Sequence, residues 1–269
     1  MANPLRPKLV SGPPGSQRRT AHEIFEGVSN NARDELARPT LALFISGLAG
    51  GLTMGLTGLG VAVARAYLGG GNVQQFVANL LYPLGFIAVI IGRAQLFTEN
   101  TLYPVVLVLD ERKHLLNTLR LWGTVFAANN LGALGFAALA VLSGALRPEY
   151  MRTLVEMGVD AAPGGFSHVF WSGVIGGWLI ALVAWMVTAT HYTIGQVVIV
   201  YLLTYLVGLG NFAHCIATSG ELLSAVLAGS ISAGGYLQWL LPATLGNIAG
   251  GVIIVSLLNY GQVVAGQEG

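Results

Sequence analysis

Charge is what this sequence has least of. Its 269 residues include 13 Lys and Arg and 12 Asp and Glu, 9% in all, against about 25% in an average soluble domain. Hydrophobic residues make up 54%, and the mean hydropathy is +0.67. That balance excludes a soluble domain of ordinary build, because one core of this length cannot bury so much apolar surface and lipid must solvate the rest. Cysteine is nearly absent too. Cys215 alone excludes an intrachain disulfide and a multi-cysteine metal site. The five histidines show no HExxH or similar ligand spacing, so no metal and no other cofactor are expected. A net charge of +1 gives no reason to expect nucleic acid or an acidic partner; the expected surroundings are a lipid bilayer. No apolar run opens the chain in the manner of a secretory signal. Residues 1–39 are polar and carry Arg6, Lys8, Arg18, Arg19, Arg33 and Arg38, which predicts a retained, cytoplasmic N-terminal segment.

What is present is a series of six apolar stretches near 40–64, 76–109, 116–145, 168–189, 195–228 and 236–260, each of spanning length and bounded by polar, Gly or Pro residues. Before them, residues 20–36 place Ile24, Phe25, Val28 and Leu36 at helical spacing after a Thr20 cap, the pattern of a short amphipathic helix on the membrane surface or against the protein's own face. The expected organisation is a cytoplasmic segment 1–39, a transmembrane domain 40–262 and a short cytoplasmic tail 263–269. Arg112, Lys113 and Arg120 follow the second stretch, so the positive-inside rule puts that loop and both termini in the cytoplasm of a multi-pass protein of the cell's inner membrane. Segment 147–167 then falls outside.

Two of the six stretches are interrupted. The second runs through IGRAQLFTENTLYP and the fifth through VGLGNFAHCIATSGEL. Backbone groups freed by such breaks survive in a membrane only where protein or a water-accessible cavity supplies partners. The chain also repeats itself: FISGLAGGL at 44–52 reads against WSGVIGGWL at 171–179. The breaks at Thr98 and His214 are followed at similar intervals by Asn130 and Asn247. Each half is span, broken span, span, and an odd count forces the second half to run opposite to the first. The expected fold is an all-α membrane protein of two inverted three-helix repeats, with small residues such as Gly47, Gly51, Gly246 and Gly250 permitting close helix contacts.

Chemistry concentrates at the breaks. His214 in an apolar lumen favours the neutral imidazole, able to give a hydrogen bond or a proton to a passing anion; an isolated histidine in such a stretch can equally be a satisfied packing residue. Thr98 offers a hydroxyl at the matching break, or merely caps freed backbone groups there. Amides at half-helix N-termini suit an anion in transit. Arg65 lies near the outer end of the first stretch and can snorkel to the interface. Arg93 is read two ways, as an anion attractor at the outer mouth or as a structural partner for a carboxylate such as Glu221. Asn211, Tyr82, Trp178 and Phe212 are candidates to line the path or simply to pack.

LFTEN at 96–100, GNFAHCIA at 210–217 and the asparagines of the third and sixth stretches together resemble the formate/nitrite transporter family, over roughly residues 22–262. The resemblance implies an aquaporin-like protomer, a homopentamer with one pore per protomer, and Thr98 and His214 as the paired pore residues. It implies a small monovalent anion or its weak acid as solute, crossing with a proton or as the neutral acid. Counting back from Ala184-Trp185-Met186 places Gly177 where the family carries an asparagine and Ala161 where it carries a vestibule lysine; Ala213 replaces the usual glutamate. A neutral-solute channel is the alternative, although the spans hold no NPA motif; a non-conducting degenerate pore is another. Paired carboxylates or a nucleophile beside a base, which an enzyme would need, are missing from the spans.

Overall fold

The breaks and glycines of the sequence translate into helices of unequal length in the computed structural model, which describes residues 19–266. Arg6, Lys8, Arg18 and residues 267–269 of the tail lie outside the described residues. Thr20 opens the fold with a capping box: its Oγ1 accepts from Glu23 N at 3.2 Å while Glu23 Oε2 accepts from Thr20 N at 2.7 Å, satisfying amides that have no partner within the helix. The amphipathic helix so started, α1 (Ala21–Ala37), buries Phe25, Val28 and Leu36. Pro39 then forces an extended residue before α2 (Thr40–Leu68). The remaining α-helices are α3 (Asn72–Ala78), α4 (Pro83–Ile91), α5 (Tyr103–Glu111), α6 (Leu115–Leu142), α7 (Pro148–Ala161), α8 (Phe166–Thr188), α9 (Thr193–Leu209), α10 (Ala217–Leu227), α11 (Ala233–Ala249) and α12 (Leu258–Ala265), with short 3-10 turns at Asn79–Leu81 and Glu99–Thr101. Gly250–Leu257 joins the last two as a π-helix.

Among the described residues, five helical stretches are long and apolar enough to cross a membrane by length and composition: α2, Asn72–Ile91, α6, α8 and Ala233–Ala265. The predicted fifth span is divided between α9, which is shorter, and α10. Large side chains such as Leu41, Leu116, Leu139, Leu202 and Leu241 stay exposed, as a lipid-facing or subunit-facing surface would have them.

Helix α2 lies along α6, and α8 lies along α11 and its π-helical continuation. Small residues make both contacts possible: a Cβ at Gly51 would overlap the backbone of Asn129, and one at Gly177 the backbone of Asn247. The two ends of α2 define two faces. Near its start, α1 is held by Arg33 to Glu111 of α5 at 2.8 Å and by Arg120 to the Leu36 carbonyl at 2.7 Å. Near its end, Tyr67 accepts a 2.6 Å hydrogen bond from Tyr150 of α7. Segment 147–167, assigned only a side from the sequence, therefore contains a helix that packs Leu154, Val155, Met157 and Gly158 against α2 and α10.

Candidate functional site

The first break begins where α4 ends at Gly92 and Arg93 turns to a positive φ of 58°; the second begins at Gly210 with Asn211 at φ 50°. Neither residue has the glycine that this conformation favours, and the same backbone bonds close both turns. Ala94 N donates to Val89 O and Phe212 N to Val207 O, each at 3.0 Å. The chain then re-enters the bundle. Gln95 N is received by Ser46 Oγ at 3.1 Å and Ala213 N by Ser172 Oγ at 2.9 Å.

One asparagine holds each re-entrant loop. Asn129 Oδ1 accepts from Phe97 N at 2.9 Å, and its amide donates to the Gly47 and Gln95 carbonyls. Asn247 Oδ1 accepts from Cys215 N at 2.8 Å, and its amide donates to the Gly173 and Ala213 carbonyls. The anchoring bonds span 32 residues in both cases. This corrects the sequence register in two ways. Asn129, not Asn130, corresponds to Asn247; Asn130 instead accepts from the Tyr236 hydroxyl. His214 then corresponds to Leu96 and Thr98 to Ile216, so the two polar residues are not mates in the repeat.

They meet nonetheless. Thr98 Oγ1 and His214 Nε2 are 2.8 Å apart, and both side chains are fully buried. The network around the ring sets its tautomer. Nδ1 accepts from Ala217 N at 2.9 Å and, more weakly, from Ile216 N at 3.4 Å, so Nδ1 carries no proton and the hydrogen of the neutral ring sits on Nε2, donated to Thr98. Phe86 sets its ring edge-on to the imidazole, centroids 5.1 Å apart. The centre is thus polar and fully buried.

Cavities approach this pair from both faces. On the α1 side a cavity of about 400 Å³ is lined by Arg19, Glu35, Arg93, Glu99, Tyr103 and His191 among others. Arg19 donates to Thr188 O at 2.6 Å and meets His191 Nε2, spanning that mouth. On the α7 side are cavities of about 170 and 130 Å³. Asn211 and Ala161 line both of them.

Arg93 stands on the same side as the N-terminal helix α1, and not, as expected, at the mouth away from the N-terminal segment or beside Glu221. It lines the α1-side cavity near Glu99, whereas Glu221 lies on the α7 side with Arg65. The reason is the course of α4, whose first turn follows Tyr82 on the α7 side and whose end brings Ile90 and Arg93 to the α1 side. Gly177 does not face the Thr98–His214 pair. It stands in the α8–α11 contact with no room for a side chain, so an asparagine cannot occupy that place. Phe86 and the two serine receptors were not singled out from the sequence as site residues; the Ser-Gly step shared by 44–52 and 171–179 is the signal that carried the serines.

Re-entrant breaks in apolar helices, converging on a buried polar pair between cavities on two faces, define a membrane transport protein. The chain belongs to the formate/nitrite transporter family, whose sequence pattern matches residues 22–261. It is 35% identical to the inner membrane protein YfdC of Escherichia coli (strain K12), an alignment covering 90% of this chain and 79% of that protein. It is 27% identical to a probable formate transporter of Methanothermobacter thermautotrophicus over 70% of this chain and 75% of that one. Among solved structures, an FNT family ion channel superimposes with a TM-score of 0.81 at 20% identity, covering 90% of this chain and 99% of its own. A pentameric formate channel with formate bound gives 0.71 at 18% identity, covering 84% and 98%. At those identities the likeness establishes the fold.

Proposed function

We propose that this protein is a channel or transporter for small monovalent anions of the formate or nitrite kind, or for their acids, through one pore per protomer of a homopentamer in the inner membrane. The observation that carries the reading is the Thr98–His214 hydrogen bond, fully buried where two re-entrant breaks meet between cavities on opposite faces. Family membership and the relatives named above support the solute class and the membrane; the pentameric neighbour supports the assembly.

In this reading the domain 40–262 crosses the membrane six times as two inverted halves. The matched anchors Asn129 and Asn247 support that plan. The α1 face, the N-terminal segment and the tail are cytoplasmic, in keeping with the basic residues before α2 and after α5.

The centre cannot host a bare anion cheaply, since removing a carboxylate from water costs several kcal/mol even after relaxation. The solute therefore crosses paired with a proton. His214 helps by turning its Nε2–H from Thr98 to the solute, and Thr98 adds its hydroxyl. A second proton on Nδ1 would displace the Ala217 amide from its acceptor, so the imidazole works as a neutral donor and the proton travels on the solute.

One observation favours a neutral-solute channel instead: carboxylates stand in both cavities, Glu35 and Glu99 on one side and Asp160 and Glu221 on the other. Uptake into proteoliposomes of formate, nitrite, acetate, hydrosulfide and glycerol at two pH values separates the readings. Anion uptake that rises in acid and collapses in His214→Ala is expected. Glycerol uptake alone would overturn the anion assignment, and no uptake of any solute would leave a degenerate pore.

A further inference from the structure

Glu221 and Arg65 stand out among the described residues as ionisable groups left without a direct partner. Glu221 is 7% exposed, yet among the described residues no hydrogen bond or salt bridge reaches its carboxylate; Arg65 Nε is buried with no acceptor. Both line the 170 Å³ cavity on the α7 side. Burying either group without a partner is costly, and the two, held too far apart for direct contact, leave room for something between them.

That room is built by the backbone. A Cβ at Gly58 of α2 would come within 2.8 Å of Glu221 Cγ and 3.1 Å of Oε1, so the missing side chain is what admits the carboxylate to this notch. Thr218 and Glu221 stand three apart on one face of α10, and His214 lies in the loop just before its first turn. Thr218 N donates to the His214 carbonyl at 3.1 Å, and Thr218 and Glu221 both line the cavity. A polar track thus leads from the buried centre to the unpartnered pair.

We infer that Arg65 and Glu221 form a loading site for a small oxyacid on the α7 side, where Arg65 holds the anion's oxygens and Glu221 supplies its proton. The inference rests on the anion reading given above and names where the proton is acquired. A guanidinium offers two parallel donors to a carboxylate or nitrite. A protonated Glu221 faces the other side of the same ion. Its carboxyl O–H bond breaks, a new O–H bond forms on the anion, and the neutral acid moves along Thr218 toward His214. The Glu221 carboxylate left behind takes its next proton from hydronium reaching the cavity from the aqueous phase on that side, leaving neutral water, and Arg65 keeps its charge throughout. The other ionisable groups facing Glu221 are Tyr82, in the turn before α4, and Asp160 of α7. On the remaining packed helices α6 brings Phe136 against Gly220, and α11 brings Tyr236, whose hydroxyl is engaged by Ser219 and Asn130.

The test uses the full-length protein with formate as probe and two readouts. In proteoliposomes, Arg65→Gln is expected to raise the KM for formate uptake about tenfold or more, the scale of one lost charge-assisted hydrogen bond. Glu221→Gln is expected to change KM less than about twofold and to flatten the pH dependence of the maximal rate. In detergent, infrared difference spectra on adding formate are expected to show a carboxyl band that disappears in Glu221→Gln and persists in His214→Ala. Thermal unfolding of each variant checks that it folds. Wild-type KM and pH profile in folded variants, or no Glu221 band on adding formate, would overturn the loading site even if uptake is robust. A formate-dependent Glu221 band in protein that transports nothing would uphold the site and remove the channel reading instead.

Discussion

The two breaks are the same piece of backbone fitted with different side chains. Each ends a helix at glycine, turns through a left-handed residue, and re-enters between a serine and an asparagine that accept or donate the same bonds. At equivalent places, however, the first break carries Leu96 and Thr98 where the second carries His214 and Ile216. The scaffold is paired and the chemistry is not: each break supplies one polar group, and only their convergence makes a site.

The sharpest way to break that comparison is to make the second break chemically like the first. His214→Leu leaves the anchors intact but removes the ring donor at the centre, and formate uptake into proteoliposomes should fall about 100-fold or more, as when a preorganised donor is taken from a buried site. Thr98→Val should cost less, because the imidazole remains. The scaffold is probed by Asn129→Ala and Asn247→Ala. Each orphans one amide and two carbonyls in a buried interior, at about 1–3 kcal/mol apiece. The two variants should therefore lose similar stability, read as thermal unfolding in detergent; a large inequality would mean the breaks are not held alike.

Smaller effects refine the same contrast. Gly51→Ala and Gly177→Ala both press a methyl into facing backbone and should each destabilise by about 1–3 kcal/mol, again by unfolding. The smallest effect concerns a feature that the α1 face has and the α7 face lacks, a helix pinned by an ion pair. Hydrogen bonds from His114 and then Arg33 hold the Glu111 carboxyl below its usual range. A carboxyl so lowered stabilises the fold above its unfolded value, about 4.3, and the contribution fades as pH falls through the folded value. The protection of α1 amides, measured as exchange relative to the intrinsic rate at each pH, should fall slightly in acid, and Glu111→Gln should show that lower protection already at neutral pH.

Much of this was legible in the chain. Apolar length located the helices, and polar residues in mid-stretch located the breaks and marked Thr98 and His214. Exact register was not legible. Asn129 and Asn130 are adjacent, and only packing against Gly51 tells which one turns inward, since one residue rotates a helical side chain by about 100°. The side on which Arg93 emerges was misread because a re-entrant chain reaches one face twice, and composition does not count those crossings. Gly177 was assigned by alignment to a signature downstream, which says nothing about how close the next helix stands. Helix α7 was missed because its short amphipathic period lies in a segment read only for charge.

The π-helical stretch Gly250–Leu257 has a mechanical side. Its Ser256 hydroxyl reaches the carbonyl of Gly251, five residues back, and also that of Thr101 beside the first break. A π turn takes up an additional residue compared with an α turn, so this stretch works as a vernier in the last helix. It lets α11 keep its register against α8 while α12, a few residues on, is dialled round to set Tyr260 against Phe25 of α1, ring centres 6.0 Å apart. The C-terminal helix is in this way a single lever with two phases, one keyed to the centre of the protein and the other to its N-terminal cover.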